Sequence, residues 1–526
     1  MTSIDTAPAR RPWPVAADAL LAAALGAVQT LAFVHPAAWA MPLATLSLLV
    51  WRLDVAPPRR AALLGWLYGT AWLAAGTWWL FISMHHYGGL PAPLAAAAVA
   101  ALSAALALYL ALAAVLYARL RRGSGFDALL FAALWLLAEL ARGVLFTGFP
   151  WVAAGYSQVD SPLAALAPWL GVYGIGAVMA LAAAGVVQLL RSRGRHWPAA
   201  TLAAGVVALA QVAPRDFTTP VATAGGPMEV ALLQTNVAQD EKFASEHLPA
   251  QLAWVQRELL HATAPLVVAP ETAVPLLPEQ LREFAPGYWE ALEVHFADRS
   301  SGGRAALVGV PLGDLGTGYT NSVVGLSAAH QTQPHRYDKW HLVPFGEFIP
   351  PGFRWFTNLM NIPLGDFARG VTHPPPFVAL GQRFGPNICY EDLFGEELAR
   401  RFADARTAPT VLVNLSNIGW FGRTIAVEQH LHISRLRSLE LQRPMLRATN
   451  TGATAVIDHR GAVTAMLAPH TRGVLVARFE GREGLTPYAR WASRLSLWPL
   501  ALAATAVLLT ALWRKRRPKG RYTGGL

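Results

Sequence analysis

Long unbroken apolar runs dominate the first 213 residues, separated by short polar breaks. The first extends from about Val15 to Val34. That is enough chain to cross a hydrocarbon layer of about 30 Å as a helix. Further runs fall at roughly 37–52, 61–83, 92–117, 126–146, 167–190 and 197–213, and one stands apart at 494–513. The pattern predicts about eight spans in a multi-pass helical membrane bundle. Seven form an N-terminal transmembrane domain (1–213), and one is a C-terminal transmembrane helix (490–513). A secretory leader also begins with an apolar run, and Ala38-Trp39-Ala40 has the form of a cleavage site. The first run is long for that role and more spans follow it, so it reads as a retained helix.

After a Pro-, Thr-, Ala- and Gly-rich linker at 214–226 the periodicity changes. Short apolar stretches at 228–233, 265–269, 305–310, 319–326 and 410–414 read as strands. Residues 246–261, 278–296 and 425–441 read as helices. Short β segments at 446–449, 454–458, 462–466 and 473–478 close the region. Strands alternating with helices predict a layered α/β domain over 227–482.

Composition agrees with the spans: 54% of residues are hydrophobic and 14% charged, too apolar for an ordinary soluble enzyme. The net charge of +11 would suit nucleic acid, but its distribution points elsewhere. Arg10 and Arg11, then Arg52, Arg59 and Arg60, then Arg119, Arg121 and Arg122, then Arg191, Arg193 and Arg195 mark every second loop. The tail from Arg514 to Arg521 is basic, and the alternate loops 35–40 and 84–91 hold no Lys or Arg. The positive-inside rule then puts both termini and the 514–526 tail in the cytoplasm and residues 214–490 on the outer face. No nucleic-acid partner is expected. Glu139 and Arg142, within a span, read as a structural ion pair. Trp78, Trp79, His85, His86 and Tyr87 read as an interfacial aromatic belt or a lipid entrance, and 146–158 as an outer loop dipping at the membrane surface.

Cys389 is the only cysteine, so no intramolecular disulfide can form. An apolar stretch runs into it and 391–402 reads as a helix leaving it. A thiol at a helix start feels the positive end of the dipole, which favours thiolate. Taken alone, a lone cysteine favours a buried structural role. Glu271 ends the 265–269 strand in Ala269-Pro270-Glu271, and Lys339 lies in Tyr337-Asp338-Lys339-Trp340-His341. The histidines lack ligand-like spacing, so neither a metal nor another cofactor is expected.

In combination, Pro270-Glu271, Tyr337-Asp338-Lys339 and Ile388-Cys389-Tyr390-Glu391 resemble the nitrilase (carbon–nitrogen hydrolase) superfamily with its Glu-Lys-Cys triad. With the membrane frame, His341 to Pro350, Arg443 to Gly452 and Thr147-Gly148-Phe149-Pro150-Trp151 resemble the apolipoprotein N-acyltransferase family. The resemblance implies an α-β-β-α sandwich outside the cytoplasmic (inner) membrane of a bacterium. It implies Glu271 as base, Cys389 as nucleophile, and Lys339 as oxyanion partner with the Tyr390 N–H. Glu347 would assist the triad, and Tyr390 and Glu391 would shape the site. Phe243, Trp420 and Phe421 are candidate lid or substrate contacts. The implied reaction moves an acyl chain from a phospholipid donor, through a Cys389 thioester, to the α-amine of a diacylglyceryl-cysteine on an apolipoprotein. The alternatives are a membrane-tethered amidase acting on a small amide and a non-enzymatic scaffold. Three positions depart from the family: Thr235 stands where Gly is usual, Phe243 where Trp is usual, and Ile418 where Asp is usual.

Overall fold

The computed structural model describes residues 13–195, 197–222, 226–298, 303–330, 333–357 and 366–516. The Arg10-Arg11 start and the basic tail beyond Arg516 lie outside the described residues.

Each apolar run of the N-terminal part carries a helix, but fewer than eight could span a membrane on their own. Among the described residues four are long and apolar enough: Val15–Phe33, Ala92–Leu120, Phe126–Thr147 and Pro162–Arg191. These make the chain a membrane protein. A fifth candidate is the pair Pro487–Leu495 and Trp498–Arg516, bent by 84° where Ser496 takes a positive φ. Met41–Leu53 has 13 residues and Trp197–Val212 has 16, short of the roughly 20 a span needs. Pro58–Thr77 has 20, but Arg59 and Arg60 open it and Gly and Thr dilute it.

Aromatic packing holds the bundle: the rings of Trp72 and Trp135 stack at 5.7 Å, and the Arg142 guanidinium lies over Trp72 at 5.4 Å. Buried charge is paired. Arg142 Nη2 meets Glu139 Oε1 at 3.3 Å, as expected of this pair, and Asp18 accepts from Arg52 at 2.8 Å.

The second part is built on two six-stranded sheets. One runs, in spatial order, Gly473–Phe479, Met228–Gln234, Leu266–Val268, Ala305–Asp314, Gly318–Ser327 and His335–Asp338. The other runs Val463–Met466, Ala455–Ile457, Met445–Thr449, Val411–Ser416, Gln382–Ile388 and Phe377–Ala379. Central strands in each sheet pair in parallel, as their unbroken apolar character requires. The sheets face each other across Val230, Leu232, Val268 and Leu307 on one side and Phe384, Val411, Val413 and Leu446 on the other. Leu248–His261 and Tyr288–Ala297 cover the outer face of the first sheet, and Gly395–Ala399 and Pro487–Leu495 pack on the second. The result is an α-β-β-α sandwich. The 278–296 helix read from sequence is two helices, Pro278–Phe284 and Tyr288–Ala297, broken at Pro286-Gly287. A strand pair absent from the sequence reading, Thr218–Pro220 with Arg482–Gly484, joins the entry of the sandwich to its exit.

The two parts share one apolar core. Tyr390, Leu393, Phe394, Ile418 and Val427 of the sandwich belong to the same buried cluster as Trp72, Trp135 and Trp151 of the bundle. Gln429 is the polar pin of this junction. Its Oε1 accepts from the indoles of Trp79 (3.0 Å) and Trp151 (2.8 Å), and its Nε2 donates to the Gly76 carbonyl (3.0 Å).

Candidate active site

Three strand ends converge at the edge of the sandwich. Glu271 follows Leu266–Val268, Lys339 follows His335–Asp338, and Cys389 follows Gln382–Ile388. Chain direction in α/β sheets gathers chemistry at such ends. The Glu271 turn sits directly on the strand beside it: a Cβ at Gly309 would lie 2.3 Å from the Pro270 carbonyl oxygen, so only glycine allows the approach.

The buried Glu271 carboxylate accepts from Asn321 Nδ2 through Oε1 and from the Asn417 N–H through Oε2, both at 2.7 Å. Lys339 Nζ, 1% exposed, lies 3.5 Å from Glu271 Oε1 and donates to Glu347 Oε1 at 2.9 Å. Glu347 accepts in addition from Asn321 Nδ2 and from the Val343 N–H, both at 2.8 Å. Asn321 therefore bridges the two carboxylates that flank the lysine. Burial alone would lower the Lys339 pKa, but Glu347, Glu271 and Cys389 more than offset it, so it is raised and the group stays an ammonium.

Cys389 is partly exposed and lies against the Ser416 hydroxyl and the Asn417 N–H. Its φ of 51° is in the left-handed region, which costs a non-glycine residue about 1–3 kcal/mol and recurs at functional turns. Surrounding bonds hold it there. Asn414 Nδ2 donates to the Cys389 carbonyl at 3.2 Å, and His430 Nε2 lies 3.3 Å from the same oxygen. Asp392 turns inward to His430 Nε2 (2.9 Å), Arg447 Nη1 (3.3 Å) and the Ser434 hydroxyl.

The helix expected over 391–402 is not continuous. A single tight turn, Cys389–Leu393, precedes the short helix Gly395–Ala399 and a last turn at Arg400–Phe402. Such a turn supplies little dipole, and the thiol is not acidified. Crowding by protein and the Glu271 carboxylate push it up to about 12, against the pull of Lys339. The resting cysteine keeps its proton, with the Glu271 carboxylate close enough to raise its pKa.

Glu391 and Tyr390 have different tasks. Glu391 Oε1 accepts from the N–H groups of Trp340 (2.8 Å) and His341 (3.2 Å). Its Oε2 accepts from the Tyr337 hydroxyl (2.5 Å) and the Ile388 N–H (2.7 Å). It latches the segment carrying Lys339 to the turn carrying Cys389. Tyr390 donates its hydroxyl to the Gly148 carbonyl at 3.1 Å, and Tyr156 donates to the Leu393 carbonyl at 2.9 Å. The 149–158 segment is thus a largely buried platform under the Cys389 turn rather than an exposed loop. Gly148 has φ 81°, and a Cβ there would meet the Gly143 carbonyl at 2.0 Å.

The remaining candidates separate. Phe421 packs on Trp79 (ring centroids 4.2 Å apart) and Trp420 on Tyr87 (5.8 Å), so both touch the bundle. Trp79 is buried there, not part of an exposed belt. Phe243 is 55% exposed, but its neighbour Lys242 is buried and donates to the Glu271 carbonyl at 3.0 Å. Ile418 is buried with Cγ2 against Gly452, so this position is apolar packing in this chain. Sequence reading missed Asn321, Lys242, Asn417 and the Asp392–His430–Arg447 network. The described residues contain no group of three or more His, Cys, Asp or Glu arranged to hold a metal.

Known proteins share both parts. The model of the apolipoprotein N-acyltransferase N-terminal domain matches residues 25–185, and that of carbon-nitrogen hydrolase matches 221–488. The apolipoprotein N-acyltransferase of Verminephrobacter eiseniae is 53% identical over 93% of this chain and 93% of its own length. The one from Ralstonia nicotianae is 45% identical over 94% and 93%. A solved amidase from Nesterenkonia sp. is 16% identical, covers 51% of this chain and 95% of its own, and superposes with a TM-score of 0.35, too slight a likeness to argue from. With both family models matched and these relatives aligned over more than nine-tenths of each chain, the chain belongs to the apolipoprotein N-acyltransferase family.

Proposed function

We propose that this chain is an N-acyltransferase that moves an acyl chain from a phospholipid to the N-terminal α-amine of a diacylglyceryl-apolipoprotein. The observation that carries the reading is Glu271, Lys339 and Cys389 brought together at strand ends, with Lys339 Nζ 3.5 Å from the Glu271 carboxylate. In the first half-reaction Cys389 Sγ attacks the ester carbonyl of the phospholipid while its proton passes to Glu271. The Lys339 ammonium and the Tyr390 N–H stabilise the tetrahedral oxyanion. The intermediate collapses to a thioester, and the lysophospholipid leaves as an alcohol with the proton from Glu271. In the second, the acceptor amine attacks the thioester, Glu271 takes a proton from the nitrogen, and collapse returns it to the sulfur. An amide and a free thiol result. Glu347 positions Lys339, and Glu391 and Tyr390 shape the nucleophile turn.

The loop charges support a frame in which 1–213 and 490–513 lie in the bacterial inner membrane, with the termini and the 514–526 tail cytoplasmic. The 227–482 sandwich then faces the periplasm on its 214–226 linker. Both substrates are lipid-anchored, which suits a sandwich tied to the bilayer at both ends. Trp420, Phe421 and the exposed Phe243 border the path by which the lipids enter.

The test is direct. Purified protein incubated with labelled phosphatidylethanolamine is digested and analysed by mass spectrometry. An acyl adduct on the Cys389 peptide, absent in Cys389→Ala and discharged by a synthetic diacylglyceryl peptide, is the expected result. Release of the label as free fatty acid, with no transfer to the peptide, would refute the transferase reading.

A further inference from the structure

Lys242 has no part in the chemistry above, yet it is one of the most unusual groups in the sandwich. Its side chain is buried (4% exposed), and its ammonium donates to a backbone oxygen, the Glu271 carbonyl, at 3.0 Å. Among the described residues no carboxylate lies within ion-pair distance of it. A buried ammonium without a charged partner is costly, and such groups persist where they serve a site. Lys242 also borders a narrow cleft lined by Thr235, Gln251, Trp254, Thr272 and Arg472.

The charge balance at the centre gives that cation a task. Glu271 and Glu347 bring two negative charges and Lys339 one positive, so the trio is net negative just where the thiol must lose its proton. Lys242 sits close enough to feel both Glu271 and Cys389. Other charged groups nearby are Arg472, whose Nε is bound to the Thr235 carbonyl at 2.9 Å, and Asp240 and Glu241 on its own segment. We propose that Lys242 is a positioning residue for acyl transfer: it tethers the Glu271 turn and, as a cation, cancels the surplus negative charge around the nucleophile. The proposal deepens the acyltransferase reading and rests on it.

Burial lowers the pKa of Lys242 to about 8, although Glu271 and Cys389 pull it upward. The cation is therefore present below that pH and lost above it. Arginine keeps its charge throughout this range, whereas methionine has the length and none of the charge.

The experiment compares full-length wild type, Lys242→Arg and Lys242→Met in detergent micelles with labelled phosphatidylethanolamine. The rate of Cys389 acylation is followed between about pH 6.5 and 9.5, a range that brackets the titration. Wild type is expected to lose rate above about pH 8. Lys242→Arg should hold its rate through that limb. Lys242→Met should be slower by about tenfold near neutrality, the equivalent of one pK unit on the thiol, and should lack the limb. Alkylation of Cys389 by iodoacetamide, which needs no lipid, should fall in the same order. Lys242→Met with wild-type rates and a wild-type limb would overturn the proposal, as would Lys242→Arg behaving like Lys242→Met. Should Lys242→Met not fold, the limb in Lys242→Arg decides alone. A wild type that alkylates normally but accepts no acyl group would sink the acyltransferase reading, while the alkylation series would still decide the role of Lys242.

Discussion

Replacing Glu391 with Gln removes a charge and almost no volume, so it tests the latch between the two halves of the site. The carboxylate accepts four hydrogen bonds: through Oε1 from the N–H groups of Trp340 and His341, and through Oε2 from the Tyr337 hydroxyl, all three on the Lys339 side, and from the Ile388 N–H on the Cys389 side. A glutamine oxygen can serve one of these pairs. If it faces Trp340 and His341, the new NH₂ points at the Tyr337 hydroxyl, which can turn to accept, and at the Ile388 N–H, which cannot. One buried N–H is orphaned at about 1–3 kcal/mol, and the remaining bonds fall from charge-assisted to neutral strength. Together these give a loss of about 3–5 kcal/mol. Much of a typical folding stability of about 5–15 kcal/mol would go with it. Glu391→Gln should therefore unfold at a clearly lower temperature by intrinsic fluorescence in detergent. A shift of the Lys339 segment by about 1 Å against the Cys389 turn should slow acyl-adduct formation by about a hundredfold. A variant with an unchanged unfolding midpoint and a wild-type adduct rate would refute the latch.

Two further outcomes follow from the geometry. Because the Cys389 thiol is pushed up to about 12 by its enclosure and by Glu271, it stays protonated in the neutral range. Its alkylation by iodoacetamide should be slow there, without the plateau of a thiolate, and a plateau below pH 8 would contradict the site described. At the junction, Gln429→Leu would orphan the Trp151 indole, at about 1–3 kcal/mol, while the Trp79 indole and the Gly76 carbonyl would keep only their bond to each other at 3.1 Å. It should speed limited proteolysis of the 214–226 linker, and an unchanged digestion rate would show that apolar packing alone holds the parts together.

Glu271, Lys339 and Cys389 could be picked out from sequence because each stands at the end of an apolar run with distinctive neighbours, and the structure brings the three together. Their supports could not be picked out. Asn321 sits inside the Gly318–Ser327 strand, where an alternating polar residue has no special look, and only the approach of 271 and 347 gives it two carboxylates to bridge. Lys242 lies in a polar loop and reads as a solvated lysine until the Glu271 turn closes over it. Glu391 and Asp392 suit the start of a helix by local preference. The latch and the His430–Arg447 network claim their side chains instead, and the segment closes into one turn. In the bundle, runs of apolar residues marked helices well but spans less well, since helix length and interior arginines are set by packing between neighbours. The 149–158 segment, aromatic and broken by Pro and Gly, looked interfacial because nothing in its own residues announces the domain that docks on it.

The pairing of Gly473–Phe479 with Met228–Gln234, and of Thr218–Pro220 with Arg482–Gly484, constrains how the molecule is made. The first strand of the sandwich waits for a neighbour about 240 residues downstream. At ribosomal speeds of about 5–20 residues per second that delay is on the order of 10–50 s. Until then an edge of the Met228–Gln234 strand stays open, beside a bundle whose N-terminal helices are already synthesised. The N-terminal helices offer the platform around Gly148 and Trp151 before the Cys389 turn that rests on it has been translated. Assembly thus runs from template to guest, and the cysteine reaches its strained conformation only once a prepared seat is there to receive it.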